Sequence, residues 1–379
     1  MSTDSEANKV VQQAQSRTSD ANYASKIADC FTNHQQITGD TVAIDGIERI
    51  RGKVRDNYKL GNGTLALVTT DRQSGFDRAL AQVPFKGAVL NLTSAYWFQQ
   101  TASIIPNHIV AIPHPYVSIV KECKPFPIEF VVRYVTGEIY PFLQSLDIHT
   151  SDSVAGFSTF CSSYMTGSTS TSIWKNYQDG VRNYCGHELP DGMTKNQKLE
   201  TNLLTPTTKD ADHDRPISLQ DIVKEKYMTQ EDLDVCAAAA LAVFARGQEL
   251  AAKQGLILVD TKYEFGRCVE TGEILLIDEV HTPDSSRYWI ASSYQERVSS
   301  GQEPENIDKE FLRLWFRDHC DPYKDEVLPE APKDLVCELS RRYILLYELI
   351  TGKEFEFDGL LGGKGDDKIT EAIRSYMAK

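Results

Sequence analysis

Hydrophobic positions along the chain change period several times, and each change marks an element. Residues 1–26 are rich in Ser, Gln, Ala and Asn with almost no large apolar side chains, so a flexible tail is expected there. From Ile27 onward apolar residues accumulate: Val42, Ile44, Ile47, Ile50, Val54 and Tyr58, then the turn Gly61-Asn62-Gly63, then Leu65 to Thr69. An apolar run broken by a glycine turn predicts a hairpin that opens an antiparallel sheet. Ala88 to Ile105 reads as a helix through Leu90, Trp97 and Ile104 until Pro106 stops it. Short strands follow at Val117 to Lys121 and Ile128 to Arg133.

Thr150 to Ser172 is Ser/Thr-rich with interspersed aromatics, which predicts a long surface loop, an insertion or a linker. Thr229 is placed to cap a helix with Asp232 three residues on, and Leu233, Ala237, Leu241 and Phe244 continue it, largely buried, to about Gly255. Two strands and a turn occupy 256–280, and Phe311 to Phe316 lies in a helix. Leu335, Leu339, Tyr343, Leu346 and Ile350 form the last strong helical stripe. After Gly352 the pattern decays.

The chain has 379 residues, with 40 Lys+Arg against 54 Asp+Glu for a net charge of −14. That balance opposes nucleic acid and anionic membrane surfaces, so any anionic ligand needs a local cationic site. The eight cysteines show no C-x-x-C spacing, which disfavours zinc knuckles and redox pairs of that type. The most apolar run, Val235 to Ala245, falls well short of the roughly 20 residues needed to cross a bilayer. With no basic, apolar leader at Met1, a cytoplasmic protein with reduced thiols is expected.

The richest segment is Leu256-Ile-Leu-Val-Asp-Thr-Lys-Tyr-Glu-Phe-Gly266, followed by Glu273 to Arg287. Strand alternation sets Asp260, Lys262 and Glu264 on one face. A turn centred on Thr271 would set Glu264 opposite Asp278. Like charges opposed on a sheet destabilise it, whereas a bound divalent cation reverses that sign, and carboxylate oxygens suit Mg²⁺ beside phosphates. The alternatives are a register off by one, or a solvated face on which Lys262 neutralises Asp260 and Glu264.

A second cluster, Arg49-Ile-Arg-Gly-Lys-Val-Arg-Asp56, concentrates cations in an acidic chain. Gly52 lets backbone approach a ligand, and Lys53 and Arg55, two apart on a strand, can meet phosphate oxygens from one side. An exposed basic hairpin is the alternative. Neither a Walker A loop nor G-x-G-x-x-G, H-E-x-x-H or G-x-S-x-G occurs. Asp71-Arg-Gln-Ser-Gly-Phe-Asp77, Phe130 to Arg133 and Leu204 to Lys209 each put polar groups where an apolar element stops, as binding loops and capped turns both do.

Taken in order, Arg51-Gly-Lys-Val-Arg-Asp, Asp71-Arg-x-Ser-x-Phe-Asp77, Val131-Val-Arg133, Thr205-Pro-x-Thr-Lys209 with His213-Asp214, Asp260-Thr-Lys-Tyr-Glu-Phe-Gly266 and Asp278-Glu-Val-x-Thr-Pro-Asp-Ser-Ser-Arg287 resemble the SAICAR synthetase family across about residues 45–350. The resemblance implies an α+β fold in two lobes, similar to ATP-grasp and kinase-like proteins. An N-terminal antiparallel-sheet lobe (27–120) would cover ATP. A larger mixed lobe (121–352), with an insertion at about 135–163, would hold metal and substrate, and 353–379 would be an extension. It implies an ATP-dependent ligase joining L-aspartate to carboxyaminoimidazole ribonucleotide (CAIR), through an acyl phosphate, as a monomer or homodimer with small-molecule partners alone.

Position by position, the resemblance implies ATP contacts at Gly52, Lys53, Val54 and Arg55, with Val120, Lys121 and Glu122 at adenine. Glu264 and Asp278 would hold Mg²⁺. Asp71, Ser74, Asp77, Arg133, Ser168, Asp284 and Arg287 would bind substrate, and Asp260, Lys262, Lys209 and Asp214 would serve catalysis. Both Tyr134-Val-Thr-Gly-Glu138 and Tyr164-Met-Thr-Gly-Ser168 match the family's ligand loop, and the second is assigned because it keeps the serine. The amine of aspartate must lose a proton, to Asp214 or to the phosphate itself.

Overall fold

The computed structural model describes residues 2–76, 78–133, 164–199, 203–209, 214–307, 309–360 and 365–379. Asp77 and the insertion at 135–163 lie outside the described residues. Two antiparallel sheets organise the chain. The first has strands β1 (Arg49–Arg51), β2 (Arg55–Lys59), β3 (Thr64–Thr69), β6 (Ile109–His114) and β7 (Val117–Lys121), in the order β1-β2-β3-β7-β6. A separate hairpin, β4 (Arg72–Gly75) with β5 (Arg78–Gln82), follows β3.

The second sheet is built on two long strands, β8 (Cys123–Arg133) and β13 (Leu256–Cys268). β14 (Ile274–Ile277) and β15 (Ser286–Ile290) pair with β13, while β11 (Leu203–Leu204) and β12 (Thr207–Thr208) pair with β8. β9 (Asn183–Tyr184) and β10 (His187–Glu188) form a small hairpin apart. β8 starts five residues before its expected first residue and takes in Pro125 and Pro127, which cannot donate to a ladder. The register shifts beside Pro125, between Glu264 and Gly266 of β13. The chain crosses from the first sheet to the second at Glu122.

Ten helices are described. α3 (Lys86–Thr101), α6 (Gln230–Lys253) and α9 (Lys333–Thr351) are the long core helices, and α4 (Ile173–Gln178), α5 (Leu219–Lys224), α7 (Ala291–Ser299) and α8 (Glu310–His319) are shorter. Thr229 caps α6 by accepting from the Asp232 amide, as its spacing predicts. Leu233 and Phe244 of α6 are buried as expected, Ala237 and Leu241 are partly buried against the same core, and Cys236, Ala240 and Val243 complete the buried face. α6 is long and apolar enough for a membrane span by length and composition, yet its buried face packs on β13 in the larger core. α9 joins two cores, with Leu345 and Leu346 in that of the second sheet and Leu339, Tyr343 and Ile344 in that of the first.

Both chain ends depart from expectation. Residues 1–26 are not a tail: they supply α1 (Ser2–Thr18) and the start of α2 (Ala21–Thr32). Their few apolar residues fall at helical spacing, so Val11 and Ala14, then Tyr23, Ile27 and Cys30, are all buried. Arg17 (Nε, 2.8 Å) and the Tyr23 hydroxyl (2.6 Å) donate to the buried Glu348 carboxylate of α9. After Gly352, α10 (Gly365–Met377) buries Ile369 and Ile373, and its Asp366 accepts from the Thr41 amide (3.0 Å). Composition pointed to disorder because it ignores where sparse apolar residues sit.

Candidate active site

A cleft of about 1160 Å³ opens between the sheets, lined by Lys53, Ser74, Glu129, Asp214, Asp260, Lys262, Asp284, Arg287, Lys309, Glu310 and Arg313 among others. Its floor is the polar face of β13. Alternation holds there: Tyr263 and Phe265 enter the core, while Lys262 and Glu264 take the other face, Lys262 lining the cleft.

The expected pairing of Glu264 with Asp278 is off by one. Glu264 stands opposite Ile277, because the turn is centred half a residue before Thr271. Asp278 has left the strand, with φ of 66°, and this left-handed backbone swings its carboxylate back toward β13. The two acids therefore meet through Lys262, whose Nζ lies 2.6 Å from Glu264 and 3.5 Å from Asp278. The carboxylate directly opposite Glu264 is Glu129 of β8, 3.3 Å from the same Nζ. Sequence reasoning passed over Glu129. Its signal was there, as an acid alternating with buried Ile128 and Phe130 on a strand that ends in Arg133.

Charges in this cluster hold one another. Burial pulls the Lys262 pKa down, but Glu264, Asp278 and Glu129 outweigh it and keep the ammonium well above its ordinary value. Burial pushes Asp278 up, and Arg55, Lys262 and Lys209 overcome it, so the carboxyl sits below its usual range. Glu129 and Glu279 stay raised, burial prevailing in each. Lys209 donates to Glu264 and lies 3.7 Å from Glu129. Arg55 reaches across from β2 to pair with Asp278 and Glu279 (3.2 Å to Glu279), joining the lobes behind the cleft.

No group of three or more His, Cys, Asp or Glu among the described residues is arranged to hold a metal. The donor chemistry nevertheless fits Mg²⁺. It needs only one or two carboxylates, with phosphates and water completing the shell, and Glu264 and Asp278 are oxygen donors already gathered on one cation.

A second group sits on β15 and its neighbours. Arg287, paired in register with Asp260, donates to its carboxylate. Ser168 donates to Glu310 of α8, whose pKa burial raises but Arg287 and Arg313 lower further. At Gly167 a Cβ would lie 2.4 Å from that of Ser172 and 3.2 Å from Arg287 Nη2, so glycine is what brings the Ser168 loop against Arg287. Asp284 accepts from Tyr343 (2.6 Å) and pairs with the fully buried Lys86 (3.0 Å). Lys309 is lowered to about 8 by burial and by Arg313. Lys86, Lys309, Glu310 and Arg313 were not read from sequence: Lys86 is a lone charge before an apolar helix, and the other three lie in a mixed run of charges that reads as a solvated helix face. Asp214 lines the cleft, and Arg133 ends β8, its backbone paired with Leu203.

The nucleotide-side residues divide. Gly52 donates its amide to Arg55 O (2.9 Å), and a Cβ there would come within 2.5 Å of that oxygen, so the glycine is required by the turn itself. Arg72 clamps the same loop through the Gly52 (3.1 Å) and Lys53 (3.2 Å) carbonyls, and Thr70 donates to Val54 O (2.7 Å). Val120 is buried. The amides of Lys121 and Glu122 are already donated to His108 O and Gly63 O, each at 2.8 Å, so neither is open to adenine.

Asp71 is a correction. It lies buried inside the first lobe, accepting from the Ile37 and Gly87 amides (both 2.8 Å) and the Tyr116 hydroxyl (3.3 Å), so it organises the lobe and does not line the cleft. Ser74, three residues on, does line it.

The sequence matches the family SAICAR synthetase over residues 48–330. A phosphoribosylaminoimidazole-succinocarboxamide synthase of Legionella pneumophila is 56% identical over 330 residues, spanning 87% of this chain and 96% of that protein. One of Arabidopsis thaliana, named chloroplastic, is 54% identical over 331 residues, 87% of this chain and 73% of that protein. The solved SAICAR synthase of Saccharomyces cerevisiae, complexed with SAICAR, matches with a TM-score of 0.60 at 28% identity, over 84% of this chain and 100% of that one. With six ordered motifs gathered on one cleft and matches of this extent, the chain belongs to the SAICAR synthetase family.

Proposed function

We propose that the cleft activates a carboxylate as an acyl phosphate and presents it to an amine. The overall reaction is the ATP-dependent ligation of L-aspartate to CAIR, giving SAICAR, ADP and phosphate in purine biosynthesis. The observation that supports this reading is the convergence of Lys53, Lys262, Arg287, Lys309 and Arg313 on one cleft of a chain whose net charge is −14. All three substrates are anions.

In this account the Gly52 to Arg55 turn and Lys53 meet the triphosphate, while Val120 to Glu122 border the adenine through groups other than the committed amides. Arg133, Ser168 and Arg287 hold the ribonucleotide phosphate. A CAIR carboxylate oxygen attacks the γ-phosphorus, and ADP departs as the phosphorus–oxygen bond to it breaks. The aspartate nitrogen then attacks the acyl carbon, phosphate leaves, and Asp214 or that phosphate takes the amine proton. Lys262 and Lys209 neutralise charge on the transferring group, a process that needs positioning and counter-charge more than a nucleophilic side chain. Glu264 and Asp278 would hold Mg²⁺, which would supply further neutralisation of the triphosphate. A cytoplasmic location is part of the proposal, and the chloroplastic relative marks the alternative.

Labelling the CAIR carboxylate with ¹⁸O tests the route. One label should appear in the inorganic phosphate for each SAICAR formed, and unlabelled phosphate would exclude an acyl phosphate. Sustained ADP release over many turnovers should also require CAIR, aspartate and Mg²⁺ together.

A further inference from the structure

Away from the charged cleft, Cys123 of β8 and Cys268 of β13 stand directly opposite one another. The backbone bond from Val269 N to Glu122 O (3.0 Å) lies just outside the pair. In an antiparallel ladder this makes Cys123 and Cys268 a non-hydrogen-bonded pair, the position where facing Cα atoms come to about 4.5 Å and side chains are closest. Disulfides span Cα separations of about 4.4–6.8 Å, so the backbone spacing for a bond is in place. Both thiols are free, and both belong to one small apolar cluster with Leu275 and Ile277.

Location gives the pair its interest. β7 ends at Lys121 in the first sheet and β8 begins at Cys123 in the second, so a bond here would tie the crossover between lobes to β13. The Cys123 thiol points back to Lys121 O (3.5 Å). Hydrogen bonding from Thr271 lowers the Cys268 pKa, whereas burial pushes the Cys123 thiol up to about 11, so Cys268 carries the larger thiolate share although it is the more buried of the two.

We propose that Cys123 and Cys268 are a modification site, a dithiol that a peroxide closes into a reversible disulfide across the lobe crossover. The Cys268 thiolate attacks one peroxide oxygen, the O–O bond breaks, and the other oxygen leaves as water with the thiol's proton. Cys123 sulfur then attacks the resulting sulfenic sulfur. An S–S bond forms, the S–O bond breaks, and the hydroxide leaves as a second water with the Cys123 proton. Two thiols are oxidised and one peroxide is reduced. The inference does not depend on the ligase mechanism.

The test uses the reduced full-length protein, treated with hydrogen peroxide, alkylated, digested without reductant and mapped by mass spectrometry. The Cys123–Cys268 linked peptide should accumulate before any other linkage, vanish with dithiothreitol, and be absent from Cys123→Ser and Cys268→Ser. Sulfinic or sulfonic acid at these positions without linkage would overturn the proposal. So would earlier linkage of Cys30 to Cys337, which lie near each other on α2 and α9. Because a serine variant can fail to fold, the wild-type protein carries a second readout: amide exchange over 121–124 and 267–270 should slow on oxidation and recover on reduction. Unchanged exchange would refute the stapled crossover.

Discussion

Carboxylates are buried in two regions of this molecule, and they are treated differently. In the first lobe Asp56 is fully buried against Arg72 (2.6 Å), and Asp71 receives two amides and a hydroxyl, so each acid is matched where it sits. Beside the cleft, Glu129, Glu264, Asp278 and Glu279 share three cations, Lys209, Lys262 and Arg55, and of this group Glu129 and Lys262 line the open space. Acids that outnumber their local cations, at the edge of a large cavity, suit a further cation and phosphate. Matched acids in a closed interior serve folding.

The largest effect that would break this contrast is in stability. Asp56→Ala leaves the buried Arg72 with carbonyl partners but no counter-charge and should cost about 3–5 kcal/mol in urea unfolding. A cost near zero would mean that the interior pair is not the structural element it is taken for. Next, Lys262→Met should lower kcat by about 10²–10³-fold, the scale of one lost electrostatic stabiliser, in steady-state assays at saturating substrates. A smaller effect is expected from Glu264→Ala, which should raise the Mg²⁺ concentration needed for half-maximal rate by about 10–100-fold.

The smallest effect separates the regions by sign of pH response. Burial raises Asp71 to about 7 in the folded protein, above the ordinary carboxylate value. The folded state then binds the proton more tightly, so stability from this group is full at acid pH and is lost as pH rises through about 7. Asp278 is depressed, so its contribution runs the other way: it is present above the ordinary carboxylate range and lost as pH falls through its lowered value. Thermal unfolding of Asp71→Asn between pH 5 and 8 should show a flatter profile than the parent.

The clean alternation in β13 made its polar face legible from sequence, and with it Asp260, Lys262 and Glu264 as neighbours. The Thr229 cap and the β7 strand were equally readable, because each rests on a local pattern. Register was not: a half-residue difference in turn centre replaced Asp278 with Ile277 opposite Glu264, and only the left-handed backbone at Asp278 restored the meeting. Glu129 required knowing that β8 lies beside β13, a fact of tertiary pairing. The amino-terminal helices were hidden by composition, since Arg17 and Tyr23 find their partner, Glu348, more than three hundred positions away.

The most direct test of the cleft's assignment is a crystal structure with magnesium and a non-hydrolysable ATP analogue. One Mg²⁺ should be bound by oxygens of Glu264 and Asp278 and by the triphosphate, with Lys262 displaced from at least one of the two acids. A metal held by phosphates and water alone, with both carboxylates still on Lys262, would contradict it.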